Sequence, residues 1–62
     1  MEFREWFDEQ VRMRALSNRA FGIYAAVSDT TIRGWRLGSA RPSYKNCVVI
    51  ARVLKIEPAM VR

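Results

Sequence analysis

Apolar residues recur along this chain with the period of a helix, and no stretch alternates with period two for long enough to make a strand. Phe3, Trp6, Phe7, Gln10 and Val11 fall at i, i+3, i+4, i+7 and i+8, with only Gln10 polar. This stripe predicts a first helix over about residues 2–14. Ser17 is a good N-cap for a second helix, with Leu16 before it as a staple. Phe21, together with Tyr24 or Ala25, supplies the apolar face of that helix. Ser28 is the next N-cap, and Asp29 then falls in the first turn, where the helix dipole favours acid. Ile32 and Trp35 point inward and Gly38 ends this third helix. Residues 39–42 form a loop. Ser43 caps a fourth helix whose apolar face is Tyr44, Cys47, Val48, Ile50, Ala51 and Leu54. Pro58 suits the first position of a last short helix. The expected fold class is all-α, with four to five short helices in a single domain spanning 1–62.

Charge is segregated along these elements. Residues 1–9 carry Glu2, Glu5, Asp8 and Glu9 against Arg4, a net of −3. Residues 10–56 carry nine basic side chains against Asp29 alone, a net of +8. Acid in the first turns of a first helix needs no function to explain it, but the basic middle does. A net charge of +5 on 62 residues favours a polyanionic partner. The chain has no histidine, which removes His-based triads and Cys/His zinc fingers. Its lone Cys47 can form no internal disulfide. The longest apolar run, 47–51, is far short of a membrane span. No carboxylate pair or activated nucleophile suggests an enzyme. The expectation is a cytoplasmic binding module with no catalytic residue, cofactor, metal, membrane partner or small-molecule substrate.

The spacing between the second and third helices carries the functional signal. A helix, a turn of about three residues (Ala26, Val27, Ser28) and a capped helix make a helix-turn-helix. The run Leu16-Ser17, then residues 25–32 (Ala-Ala-Val-Ser-Asp-Thr-Thr-Ile), Trp35, Gly38, Arg41-Pro42-Ser43 and Ile50-Ala51 with Leu54 resembles the Cro/phage-repressor-type (XRE-like) DNA-binding domain. The resemblance extends from about Phe3 to Val61. No single position in it is specific, and the joint spacing is what counts. It implies a lambda-repressor-like domain whose third helix, about 29–37, enters the major groove of double-stranded DNA. It also implies a transcription regulator of bacterial or phage type, such as a repressor.

Helical geometry independently puts Asp29, Thr30, Arg33, Gly34 and Leu37 away from Ile32 and Trp35. Asp29, Thr30, Arg33 and Gly34 are therefore the expected base-contact positions. Arg33 is the strongest of them, since its fork matches guanine O6 and N7. The resemblance further implies phosphate contacts from Asn18 and Arg19, at the start of the second helix, and from Arg41 and Lys45, around the loop and fourth helix.

Four features depart from the family pattern. Gly22 stands where alanine is usual, and Ala26 stands where the turn usually has glycine, so a positive φ there would be strained. Gly34 replaces a long polar side chain. Arg36 replaces a common glutamate while Val11 stands where its arginine partner often lies, so both halves of that ion pair change together.

Bland readings compete with the sharp ones. Trp6, Phe7 and Trp35 are expected in the core, and Cys47 as a small buried hydrophobe. Arg52, Lys55 and Arg62 read as a solvated face. Val49 and Val53, with Met60 and Val61, make either scattered surface apolars or an exposed strip. Such a strip would serve as a homodimer seam or as the docking face for a further segment of a longer regulator. The alternative function is a protein-interaction module, antitoxin-like or partner-docking, with weak or no DNA binding.

Overall fold

The computed structural model describes residues 2–61. It contains four α-helices: α1 (Phe3–Met13), α2 (Asn18–Ala25), α3 (Asp29–Leu37) and α4 (Tyr44–Leu54). A single 3₁₀ turn, Pro58–Met60, follows them. Among the described residues there is no strand, so the all-α expectation holds. Arg62 lies outside the described residues.

Local chemistry starts three of the four helices. Ser17, Ser28 and Ser43 each sit in extended backbone, and each accepts a hydrogen bond from the amide three residues on. The donors are Ala20, Thr31 and Asn46, at 3.0, 3.2 and 3.3 Å. Each bond satisfies one of the orphan N–H groups of a helix start.

All four helices end in one way. A residue in the left-handed region follows the last turn: Ala15 (φ 53°), Ala26 (57°), Gly38 (83°) and Lys55 (60°). The next amide then reaches the carbonyl five residues back, from Leu16 to Val11, Val27 to Gly22, Ser39 to Gly34 and Ile56 to Ala51, at 2.9–3.1 Å. This is the Schellman type of closure. In three cases the closing residue is apolar, and Leu16, Val27 and Ile56 all pack against the core. Only Gly38 is a glycine at the left-handed position. Ala26 does have the positive φ that its sequence context predicts.

The core joins α1, α2, α3 and α4. Phe3, Trp6, Phe7 and Val11 of α1 meet Phe21 and Ala25 of α2, Ile32 and Trp35 of α3, and Ile50 and Leu54 of α4. Phe7 is fully buried and is the aromatic hub. Its ring stacks on Phe3 at a centroid distance of 5.5 Å. It also meets Phe21 edge-on at 5.1 Å and Trp35 edge-on at 5.8 Å. Gly22 is required by a close approach: a Cβ there would lie 2.8 Å from the Val27 carbonyl oxygen and 3.3 Å from Ile32. This bare flank lets α2, its closing turn and α3 pack together.

Several sequence-based placements are corrected. Of Tyr24 and Ala25, Ala25 turns inward and Tyr24 is 69% exposed. Tyr44, expected on the apolar face of α4, is 83% exposed because it is the first residue of the helix and lies beyond the core. Cys47 and Val48 are half-buried. Val49, Val53 and Val61 do not form an exposed strip, since all three are half-buried against the core. The physical reason is that α4 packs on α2 at one side and on the 3₁₀ turn at the other, so its covered arc is wider than one helical stripe. Only Met60 of the four expected seam residues is well exposed.

Candidate nucleic-acid interface

The α2–turn–α3 unit has the boundaries expected for it, with Ala26, Val27 and Ser28 between two helices that pack on each other. Ile32 and Trp35 anchor α3 in the core. Asp29, Thr30, Arg33 and Leu37 are exposed along its other side. Thr31 is partly withdrawn by a 2.8 Å hydrogen bond between its hydroxyl and that of Ser28. Arg33 and Asp29 form an i,i+4 ion pair at 3.2 Å. Two expected base-contact positions are therefore bonded to each other in the free domain.

Gly34 behaves differently from the expectation. Its carbonyl accepts the amides of Gly38, Ser39 and Ala40. A Cβ at Gly34 would touch Ala40 and Ser39 at 3.4 and 3.5 Å. The loop after α3 thus folds back over the helix, and Gly34 is a packing position rather than an open groove-facing one. Arg41 and Lys45 are both exposed, as is Arg19 on α2. Among the described residues none of these three has a carboxylate within 4 Å.

Asn18 is engaged through its side-chain carbonyl, which leaves its Nδ2 as the group that can donate to a phosphate. Its Oδ1 accepts a 2.7 Å hydrogen bond from Arg36 Nη1. Arg36 also donates from Nε and Nη2 to Oδ1 of Asp8. One half-buried guanidinium thus ties α3 to both α1 and the start of α2. Arg12 adds a second cation to Asp8, 3.2 Å from its Oδ2. The sequence comparison at Val11 had missed this partner: Val11 is in the core, and the acid lies three residues earlier on α1. The available signal was Asp8 itself, on the same side of α1 and within reach of a long arginine.

These contacts set the protonation of Asp8. Hydrogen bonding from Arg36 holds its carboxyl below the ordinary value of 3.8. Partial burial opposes this, and the charges of Arg36 and Arg12 reinforce it. A carboxyl with a depressed folded-state pKa adds stability that is present above its unfolded value and lost as pH falls through the folded one. The stability gap between the natural domain and Asp8→Asn should therefore be constant near neutrality and shrink below about pH 4. Urea midpoints measured across that range check this. A gap that persists unchanged to low pH would contradict the assigned pairing.

Among the described residues no group of three His, Cys, Asp or Glu side chains stands close enough to hold a metal. No helix of the described residues is long and apolar enough to cross a membrane. The chain has no significant match among protein-family models, curated proteins or solved structures.

Proposed function

We propose that this domain binds double-stranded DNA in a sequence-dependent way, as the reading head of a transcription regulator of bacterial or phage type. The observation that carries the reading is α3. Its inner side is locked by Ile32 and Trp35 while Thr30, Arg33 and Asp29 stand exposed on the other, at the second helix of a helix-turn-helix. In this reading α3 lies in the major groove. Arg33 leaves Asp29 to bridge a guanine, Thr30 meets a base edge or thymine methyl, and Asp29 accepts from a cytosine amine. Arg19, Arg41 and Lys45 neutralise phosphates and supply much of the affinity. Gly34 packs against the following loop, and Asn18 seats Arg36 through Oδ1 while its Nδ2 donates to a phosphate.

Anisotropy of a labelled mixed-sequence duplex at two salt concentrations tests this. Affinity should fall steeply with salt. Arg41→Ala and Lys45→Ala should each flatten the log–log slope by about 0.9. Arg33→Ala should cost about 1–3 kcal/mol on a guanine-bearing site selected from random sequence, and much less on other sequences. A folded chain that does not bind at low salt would refute the proposal.

The competing reading, a partner-docking module that dispenses with DNA, drew on an exposed Val49–Val53–Met60–Val61 strip. Three of those residues pack on the core, so this strip favours neither that reading nor a homodimer seam.

A further inference from the structure

A second surface lies apart from the residues assigned to DNA. Tyr24 of α2 and Arg52 and Val53 of α4, with Lys55 at the end of α4, line an open groove of about 470 Å³. Its walls come from two helices that pack on each other, so the groove is built into the fold. Tyr24 is an exposed aromatic, and Val53 is a half-buried aliphatic packed on the core beneath. Arg52 and Lys55 are exposed, and among the described residues neither has a carboxylate within 4 Å. The groove therefore combines an apolar lining with two uncompensated cations. Exposed tyrosine and arginine are also the side chains that most often anchor protein contacts.

We infer that this groove docks a short segment of a partner protein in which acidic and large apolar side chains lie next to each other. The chemistry selects that occupant. Carboxylates match the rim formed by Arg52 and Lys55, and an aliphatic or aromatic side chain gains by covering Tyr24 and Val53. A nucleic-acid backbone would satisfy the cations but leave that lining in contact with water. A second folded copy of this chain fits poorly. Stable interfaces between folded chains bury roughly 1,200–2,000 Å², far more than these four side chains provide, whereas a single extended or helical segment docks by laying a few anchor side chains into a groove. The inference does not rest on DNA binding, because Tyr24, Arg52, Val53 and Lys55 are outside the proposed DNA contacts.

The test is an amide chemical-shift titration of the isotope-labelled domain with a short synthetic peptide of mixed aspartate and leucine. Shifts should centre on Tyr24, Arg52, Val53 and Lys55. Tyr24→Ser and Arg52→Glu change exposed side chains and leave the core intact, which the helical circular-dichroism signal verifies. Each should weaken binding about tenfold or more. A peptide with serine in place of leucine should bind at least tenfold more weakly, because it keeps the charge and loses the apolar contact. Equal binding of the serine peptide would overturn the inference in favour of a general polyanion surface. Shifts at these residues with a DNA duplex, larger than those with the peptide, would overturn it in favour of nucleic acid. Concentration-dependent shifts there without peptide would overturn it in favour of self-association, and an absence of shifts would overturn it outright.

Discussion

Replacing Phe7 by alanine should leave most of the domain unfolded in water at 25 °C. At about 0.05–0.15 kcal/mol per residue, a chain of this length has roughly 3–9 kcal/mol to lose, and small domains fall toward the lower end. Removing a buried phenylalanine side chain costs about 3–5 kcal/mol through lost transfer energy and the cavity left behind. Phe7 should lie at the upper end because its ring touches aromatic partners on three helices, namely Phe3, Phe21 and Trp35. Its loss removes both edge-on contacts that join α1 to α2 and α3. Phe7→Leu keeps most of the volume and should retain the fold with a loss of about 1–2 kcal/mol. Far-ultraviolet circular dichroism and urea midpoints of the two variants check this. A cooperative Phe7→Ala transition at the natural midpoint would refute the hub.

The opposite sign is expected at the left-handed helix ends. An L-residue in that region is strained by about 1–2 kcal/mol. Glycine relieves the strain but brings extra entropy to the unfolded chain, so each replacement gains less, about 0.5–1 kcal/mol. Ala15→Gly, Ala26→Gly and Lys55→Gly combined should therefore add about 1.5–3 kcal/mol. At 4–8 °C per kcal/mol this raises Tm by about 6–24 °C. Gly38→Ala should do the reverse. It restores the strain at φ 83° and sets a Cβ against the Arg4 stem, whose Cδ atom must move. Calorimetric scans of the triple variant and of Gly38→Ala would decide the matter together. A triple variant that melts with the natural domain would show that these positions carry no strain.

The same helix ends mark the boundary of what the sequence discloses. Three serine caps were legible because an N-cap bond spans only three residues and depends on one side chain. Gly38 was legible for a similar reason, and Ala26 became so once its turn was compared with a family that uses glycine there. Ala15 and Lys55 gave no such sign. Their handedness follows from the next residue, Leu16 or Ile56, finding the core, and that is a tertiary event. Periodicity located Phe7, Ile32 and Trp35 correctly, since one stripe describes a helix packed on one side. It misjudged Val49 and Val53 on α4, which is covered from two sides. At the candidate interface, exposure of Asp29, Thr30 and Arg33 followed from helical spacing. The covering of Gly34 depended on three amides of the following loop, and the engagement of Asn18 depended on an arginine eighteen residues away. Neither was written in local sequence.

The Asp29–Arg33 pair gives the proposed recognition a particular character. A carboxylate beside a guanidinium offers the same kind of acceptor that a guanine edge offers, so the unbound helix already holds an internal stand-in for its target. Binding would then be an exchange of acceptors rather than the making of a new bond. An exposed pair of this spacing stabilises a helix by only about 0.3–0.5 kcal/mol, against about 1–3 kcal/mol for a well-placed guanine. The stand-in is weak enough for the right base to displace. A wrong base offers Arg33 little beyond what Asp29 already supplies, so the pair would sharpen discrimination at that position without closing the site.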